Sequence, residues 1–281
     1  MEWGKVKNII ILILLLINGF LLVLVGARTS EVRRYEQSAI DRSMQVLAEN
    51  GIQVDEGALP AGGGVEPTGA ERDVAAEGRL VSALMGESLT GIHRGGGLYT
   101  YEGARGQVNV RAGGELSLTP SDSAFWVTED PESHAAALVA ALPVKTKLVR
   151  TETDGDVMEV TYRQQWAGAP LFSCQVTLTY QGGRLTDLSG SLLAADRSTE
   201  ESAKLLALPT VLMRFLDEIL FSGDVCSSIR AVEPGYRMTQ SFSGAVRLTS
   251  VWRISTNTAD YYLDGVTGEL TRAAESRSAA T

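Results

Sequence analysis

A single apolar stretch near the N-terminus, residues 9–25, constrains this chain more than any other feature. It contains 17 residues without a charge, and only Asn18 and Gly19 interrupt its aliphatic side chains. As a helix it would extend about 26 Å, close to the lower limit for crossing the hydrocarbon core of a bilayer. The rest of the chain has no comparable run. The sequence therefore predicts a transmembrane helix over residues 9–27, after a short cytoplasmic segment over residues 1–8.

Cleavage of this stretch as a secretory signal is the alternative, because Lys5 and Lys7 precede it and small residues follow it. However, the apolar region is longer than the roughly 7 to 15 residues of most secretory signals, and no Ala-x-Ala site is present. These two observations favour an uncleaved anchor.

The orientation of the anchor is less clear from charge, since Arg28, Arg33 and Arg34 follow the span and outnumber the two lysines before it. The positive-inside rule, by which the more basic flank stays in the cytoplasm, is weaker for long translocated domains. We expect a single-pass protein of the cell membrane, with a cytoplasmic N-terminus and an extracytoplasmic main domain.

Beyond the span, helices alternate with runs of short strands separated by glycine turns, which predicts an α+β fold with helices packed on antiparallel sheets. The order of a helix followed by a meander of about four strands recurs from residues 71, 130 and 198. The predicted segments are a stalk helix with a short strand (28–60), a Gly/Pro-rich loop (61–70), three α+β units (71–120, 121–197 and 198–272) and a disordered tail (273–281).

Two helix boundaries carry specific signals. Asn50 and Gly51 predict the end of the stalk helix, because glycine readily adopts the left-handed conformation of a helix C-terminus. Ser198 and Glu201 have the spacing of a capping box and predict that a helix begins there. Pro209 would then either kink that helix or begin a second one.

The charge of the chain argues against nucleic acid as a partner. The formal net charge is -9, and the lysines are too few and too scattered to form a basic patch from sequence neighbours. An acidic surface repels phosphate backbones and anionic lipid headgroups.

No catalytic constellation is recognisable. His93 and His134 are the only histidines and lack the spacing of zinc ligands, and no nucleophile elbow or Ser-x-x-Lys pair is present. We therefore expect no enzymatic activity, no cofactor, no metal site and no small-molecule substrate.

The cysteines and tryptophans favour structural roles. Cys174 shares a strand face with apolar residues and is interpreted as a small buried side chain, although a disulfide with Cys226 is possible outside the cell. Trp126, Trp166 and Trp252 lie in predicted strands, as core or half-buried residues.

Two separated stretches resemble a known family. Met1, Glu2 and Trp3, followed by two lysines and the aliphatic span, resemble the start of YycI (WalI)-type regulators. The C-terminal VWRI at residues 251–254 and YYLDGVTGEL at residues 261–270 resemble the terminal hairpin of the YycH and YycI group, and are also similar to PepSY-type modules. The hairpin residues that carry the resemblance are Trp252, Tyr261, Tyr262, Asp264, Gly265, Thr267 and Gly268.

The resemblance implies a membrane-anchored, non-enzymatic regulator of Gram-positive bacteria. Such proteins modulate a sensor histidine kinase of the WalK (YycG) type through membrane helices and outer domains, in some cases with a YycH-like companion. Trp3, Asn18 and Gly19 are then candidate contacts with the partner's membrane helix, because small and polar residues strengthen such pairing. A tolerated interruption of a simple anchor is the other interpretation of Asn18 and Gly19.

The rival hypothesis is an extracytoplasmic PepSY-like or cystatin-like binding module, which would inhibit a protease or bind envelope material. In that case the apolar helix would only hold the module in place.

Overall fold

The structure is a computed structural model that describes residues 3–127, 130–198, 203–240 and 246–273, with the side chains of residues 3–10, 23–33, 197 and 240 left out. Within these residues the chain forms four helices and fifteen strands. The helices are α1 (Trp3–Glu49), α2 (Val74–Met85), α3 (Pro131–Ala140) and α4 (Leu208–Ser222). The strands are β1 (Gln53–Val54), β2 (Thr68–Arg72), β3 (Ile92–Gly95), β4 (Leu98–Gly103), β5 (Gly106–Val110), β6 (Glu115–Pro120), β7 (Thr146–Asp154), β8 (Val157–Trp166), β9 (Ala169–Gln181), β10 (Arg184–Ser191), β11 (Ala195–Ser198), β12 (Ser228–Gln240), β13 (Val246–Thr256), β14 (Asp260–Asp264) and β15 (Leu270–Arg272).

Local sequence accounts for most helix ends. The Asp73 carboxylate accepts a hydrogen bond from the Ala75 amide at the start of α2, and the Asp130 carboxylate accepts one from the Ser133 amide at the start of α3. Both are N-caps, in which a short polar side chain binds an otherwise unpaired helix amide. α2 ends at Gly86, which has a φ of 69°.

The predicted start of the last helix at Ser198 is wrong. Ser198 ends β11, residues 203–207 are irregular, and α4 begins at Leu208 with Pro209 in its first turn. Proline is favoured there because its missing N–H would be unpaired in any case. Glu201, the other half of the expected capping box, lies outside the described residues.

The first sheet contains eight antiparallel strands in the order β3, β4, β5, β6, β10, β9, β8, β7. Helices α2 and α3 cover one of its faces, over a core that includes Leu84, Val108, Val139 and Val176. The two meanders meet where Leu188 of β10 pairs with Leu118 of β6. The segments predicted as the first and second α+β units therefore share one sheet and one core.

The second sheet contains β12 and β13 as its central pair, flanked by β1, β2, β11, β14 and β15. Helix α4 and the last turns of α1 cover one face, through Leu47, Phe215, Trp252, Ile254 and Tyr261. The fold is mixed α+β, and a helix is followed by an antiparallel meander in three places: α2 with β3–β6, α3 with β7–β10, and α4 with β12–β15.

Strand β9 joins the two sheets. Its N-terminal part pairs in parallel with β12 at Leu171 and Tyr236, while the rest lies between β8 and β10. A small apolar cluster, which includes Trp166, Leu171, Cys174 and Leu248, fills this junction. β9 alternates between buried and half-buried residues over most of its length, as its sequence predicted.

The segment predicted as a loop over 61–70 is packed against the second sheet. β2 begins inside it, the Tyr236 hydroxyl donates to the Glu66 carbonyl at 2.9 Å, and a side-chain carbon at Gly64 would lie 3.4 Å from the Trp252 ring. The predicted disordered tail over 273–281 lies, from residue 274 onward, outside the described residues.

The single residues of the sequence predictions fall mostly in the core. Trp166 and Trp252 are buried, but Trp126 is 59 % exposed. Both cysteines are free, Cys174 being buried and Cys226 half-buried, and burial raises the pKa of the Cys174 thiol to about 11.

Among the residues that the structure describes, no helix is long and apolar enough to cross a membrane. The predicted span over residues 9–27 includes positions 9, 10 and 23–27, whose side chains lie outside the described part.

Candidate functional site

The junction between α1 and the second sheet is the first candidate for a functional feature. α1 runs from Trp3 to Glu49 without a break, so the predicted span and the predicted stalk lie on one helix. At its end the Ile52 amide donates to the Leu47 carbonyl at 2.9 Å and the Gly51 amide donates to the Ala48 carbonyl at 3.0 Å. With Gly51 at a φ of 80°, these two bonds make a Schellman motif.

The same helix end is buried in the core. Leu47 and Ile52 are almost fully buried among the apolar residues of α4, and a contact between these two positions commonly accompanies a Schellman motif. The Ser43 hydroxyl lies 3.5 Å from the Pro209 carbonyl at the start of α4. Immediately after the motif, Gln53 pairs with Ser228 in the second sheet. The C-terminal end of α1 is therefore fixed both to α4 and to the second sheet.

The predicted membrane contacts lie at the opposite end of α1. The Asn18 side-chain amide donates to the Leu14 carbonyl at 2.8 Å, so its N–H is bonded within its own helix. A side-chain carbon at Gly19 would meet nothing within 4 Å, which leaves a notch in the helix surface. The large apolar side chains between Ile11 and Leu22 are 50 to 74 % exposed. The Trp3 side chain lies outside the described part.

Two residues of the family-resembling hairpin are core residues. Trp252 is fully buried beneath α4, and the Tyr261 ring packs edge-on against Phe215 with centroids 5.6 Å apart. The Tyr261 hydroxyl donates to the Asp224 carboxylate at 2.9 Å. Burial and this carboxylate raise the pKa of Tyr261, so the hydroxyl remains protonated at neutral pH. Trp252 and Tyr261 hold α4 on the sheet.

Four further hairpin residues build the turn between β14 and β15. The Asp264 carboxylate accepts hydrogen bonds from the Val266 and Thr267 amides at 2.8 and 2.7 Å. A side-chain carbon at Gly265 would lie 2.6 Å from the Ser250 hydroxyl, and Gly268 has a φ of 79°. These contacts explain why the turn needs an aspartate and two glycines at these positions.

Tyr262 faces away from α4, since it alternates with Tyr261 along β14. Its ring lies 5.5 Å from the Phe172 ring, and the Arg237 guanidinium lies 4.7 Å from its centroid. Burial raises the pKa of Tyr262, although the arginines beside it act in the opposite direction. Tyr262 therefore belongs to a set of residues at the face of the second sheet that lies away from α4, to which β8 and β9 of the first sheet also contribute; we term this set the arginine–aromatic cluster. Its members are Arg163, Phe172, Arg237, Arg253 and Tyr262.

Arg253 lies at the centre of this cluster. It donates to the Asp260 carboxylate through Nε at 3.0 Å and Nη2 at 2.6 Å, and to the Glu233 carboxylate through Nη1 at 3.3 Å. Burial alone would lower the pKa of Arg253, but the Asp260 hydrogen bonds and charge outweigh it and raise the pKa. The positive charge of Arg253 is thus matched by two carboxylates.

Phe172 reaches the cluster because β12 has a glycine beneath it. A side-chain carbon at Gly235 would lie 2.5 Å from the Phe172 ring and 2.5 Å from the Pro170 carbonyl oxygen. The ring occupies the volume that any other residue at position 235 would fill. Arg163 and Arg253 lie 5.3 and 5.9 Å from the ring centroid, within the range of cation–π attraction.

Sequence patterns did not mark Arg163, Phe172 or Arg237 as site residues, and Arg253 stood out only as part of VWRI. Phe172 is buried, and the three arginines are half-buried on strands, where arginine is uncommon without a partner. Three arginines on strands that also carry aromatic residues were the available signal, but the pairing of β9 with β12 that brings them together involves only Leu171 and Tyr236.

Groups that could supply enzymatic chemistry are dispersed over the described residues. No group of three or more His, Cys, Asp or Glu side chains there could hold a metal ion. His134 accepts or donates a 2.9 Å hydrogen bond with the Tyr180 hydroxyl, and burial lowers the pKa of its imidazole. This imidazole is half-buried on α3.

Comparison with known proteins bears on the fold. No known protein family matches the sequence, and no curated protein does either. The crystal structure of an uncharacterized protein from Eubacterium rectale is similar over 80% of this chain and 92% of its own, with a TM-score of 0.51 and 11% identity. The YpeB C-terminal domain of Bacillus megaterium aligns over 73% of this chain and 100% of its own, with a TM-score of 0.38 and 8% identity. The similarity to the Eubacterium rectale protein shows a shared fold and nothing more.

Replacement of Gly235 by alanine tests the packing of the arginine–aromatic cluster. The added methyl group collides with both the Phe172 ring and the Pro170 carbonyl oxygen, so we expect the free energy of unfolding to fall by about 1–3 kcal/mol, the usual cost of overpacking. Urea denaturation monitored by circular dichroism measures this.

Gly62→Ala is the matched control, because nothing lies within 4 Å of the added carbon and its φ is not positive. We expect it to leave stability unchanged or slightly increased. Equal losses for the two variants would contradict the packing described for Phe172.

Proposed function

We propose that this protein is a membrane-anchored, non-enzymatic regulator of a sensor histidine kinase, of the YycI (WalI) type. In this proposal residues 9–27 cross the cell membrane, the N-terminus is cytoplasmic, and the α+β domain lies outside and contacts the outer part of a WalK (YycG)-type kinase. A YycH-like companion is a further expected partner. We also propose that the extracytoplasmic domain is related to PepSY-type or cystatin-type modules.

The observation that carries the proposal is the continuity of α1. One helix contains the exposed apolar run and also ends inside the folded domain, with Leu47 buried against α4. A flexible tether would be sufficient for a module that only needs to stay near the membrane. A helix fixed at its end can transmit a rotation or displacement of the domain to a neighbouring membrane helix.

The residues that open the chain support the identity of the anchor. Trp3 precedes the apolar run, where an indole suits the membrane interface. The large apolar side chains from Ile11 to Leu22 contact no other part of the described domain closely enough to be buried. Exposure of so many aliphatic side chains in water is unfavourable, and a lipid environment removes the penalty.

Insertions that rotate the two ends of α1 relative to each other test the rigid coupling. Each added residue turns a helix by about 100°, so two alanines after Ser30 rotate the domain by about 200° while seven alanines restore the phase to within about 20°. We expect the two-residue insertion to abolish the effect on kinase autophosphorylation in reconstituted membranes, and the seven-residue insertion to retain at least half of it.

Each insertion is the control for the other. The seven-residue insertion lengthens α1 more than the two-residue insertion does, but it rotates the domain less about the helix axis. If both variants regulate the kinase as well as the parent protein, α1 acts as a tether and the rival binding module is favoured. If a fragment from residue 30 onward reproduces the full effect in solution, the membrane helix has no part in regulation.

The same reconstituted membranes test the contact at Asn18 and Gly19. Replacing both by leucine removes a polar group and fills the notch at Gly19, so we expect cross-linking to the kinase to fall several-fold while insertion is unchanged. Carbonate extraction verifies insertion. Unchanged cross-linking would show that these two residues only interrupt the anchor.

The rival proposal has one structural observation in its favour, namely the uncovered face of the second sheet. The arginine–aromatic cluster presents rings and guanidinium groups that are common in interfaces. A partner that binds this face without any effect on a kinase would support the binding module.

A further inference from the structure

A small groove lies beside the arginine–aromatic cluster, where the edge of the first sheet meets the second sheet. It encloses about 260 Å³ and is lined by Lys147, Leu148, Arg163, Pro170, Glu233 and Arg253, among others. Its cationic side chains outnumber its single carboxylate, although the whole chain carries a formal net charge of -9. The groove is therefore a local concentration of positive charge on an acidic protein.

Arg163 is the unusual residue of this groove. Its side chain is half-buried, and its Nε atom is buried without a hydrogen-bond partner among the described residues. None of the ion pairs in the described part of the chain includes it. Burial and the neighbouring Arg253 lower the pKa of Arg163. A buried polar group without a partner is unfavourable, and a guanidinium more so than a neutral group.

Lys147 adds a second positive charge beside Arg163. It lies directly opposite Arg163 in the register of β7 and β8. Like charges at directly opposite positions of adjacent antiparallel strands repel each other and destabilise the pair. An anion between the two side chains would convert that repulsion into attraction.

Arg253 and Glu233 limit where an anion can sit. Arg253 is already bonded to Asp260 and Glu233, so its charge is largely matched. Glu233 is directed toward Arg253, with its carboxylate 3.3 Å from Nη1. Glu233 and Asp260 also attract Arg163 through space, but without an ion pair. The charges that lack an ion pair among the described residues are therefore at the end of the groove formed by Lys147 and Arg163.

We propose that the groove binds one small oxyanion group of a ligand, a carboxylate or a phosphoryl group, between Lys147 and Arg163. The planar guanidinium of Arg163 can donate two parallel hydrogen bonds to such a group, and the lysine ammonium adds a point charge. The apolar side chains of Leu148 and Pro170 flank the site and suit a short aliphatic part of the ligand. The volume limits the bound part to a few heavy atoms.

Thermal unfolding of the full chain in detergent micelles tests the proposal. Sodium phosphate and sodium succinate are compared with sodium chloride at equal ionic strength. Because a ligand that binds only the folded state stabilises it, we expect the midpoint to rise by at least 2 °C with one of the two oxyanions. The succinate and phosphate arms distinguish a carboxylate site from a phosphoryl site.

Substitutions assign the effect to the groove. Arg163→Gln is expected to abolish the oxyanion-dependent rise, and Lys147→Gln, at an exposed position that cannot disturb folding, is expected to reduce it by at least half. Arg150→Gln is the control. Arg150 lies on β7, the strand that also carries Lys147, but its guanidinium pairs with the Glu152 carboxylate at 2.9 Å. This variant should retain the full rise.

The proposal is overturned if neither oxyanion raises the midpoint above that in chloride, or if Arg163→Gln and Lys147→Gln keep the full rise. No kinase is present in this experiment, so its outcome is separate from that of the proposed regulatory function.

Discussion

The fixed C-terminal end of α1 is the constraint on which the rest of the structure depends. Gly51 adopts a left-handed conformation that ends the helix, and the Schellman bonds then turn the chain so that Leu47 and Ile52 enter the same core. A bulkier residue at position 51 would be strained at this φ, and the chain would leave the helix in another direction. The direction of the 47-residue helix relative to the domain follows from this one turn.

The second sheet is built around that attachment. One of its faces contacts α4 through Trp252 and Tyr261, and α4 in turn contacts α1. The hairpin that resembles the YycH and YycI group thus serves mainly to hold α4 in place. Tyr262 of that hairpin reaches the other face, where it lies against the buried Phe172 ring and beside half-buried arginines, and none of the four described helices covers this surface. One face of the second sheet therefore attaches the helices, and the other is the face on which a binding role is proposed.

Local signals predicted the elements and their order. Asn50 and Gly51 marked the end of α1, the recurring order placed a helix from residue 130, and the apolar neighbours of Cys174 indicated the buried face of β9. These features depend on neighbours in sequence, which is why they could be inferred. The apparent capping box at Ser198 misled because Ser198 is paired with Gly69 in a sheet, and that contact cannot be seen from local spacing.

The arrangement of the elements depended on distant contacts. The pairing of Leu188 with Leu118 joins two meanders into one sheet, and the pairing of Leu171 with Tyr236 joins that sheet to the second. Both contacts depend on which strand edges remain free after the hairpins have formed. The cluster around Arg253 and the groove at Arg163 were missed for the same reason, since their residues come from strands β7, β8, β9, β12, β13 and β14.

The distance between α1 and α4 in a lipid bilayer tests the central claim most directly. Spin labels at Glu36→Cys and Asp217→Cys, in a chain with Cys174→Ala and Cys226→Ser, report this distance by pulsed electron resonance. A helix fixed at Leu47 predicts one narrow distance distribution, the same in bilayers and in micelles. A broad distribution in the folded protein would contradict the account, because it would mean that α1 moves freely relative to the domain.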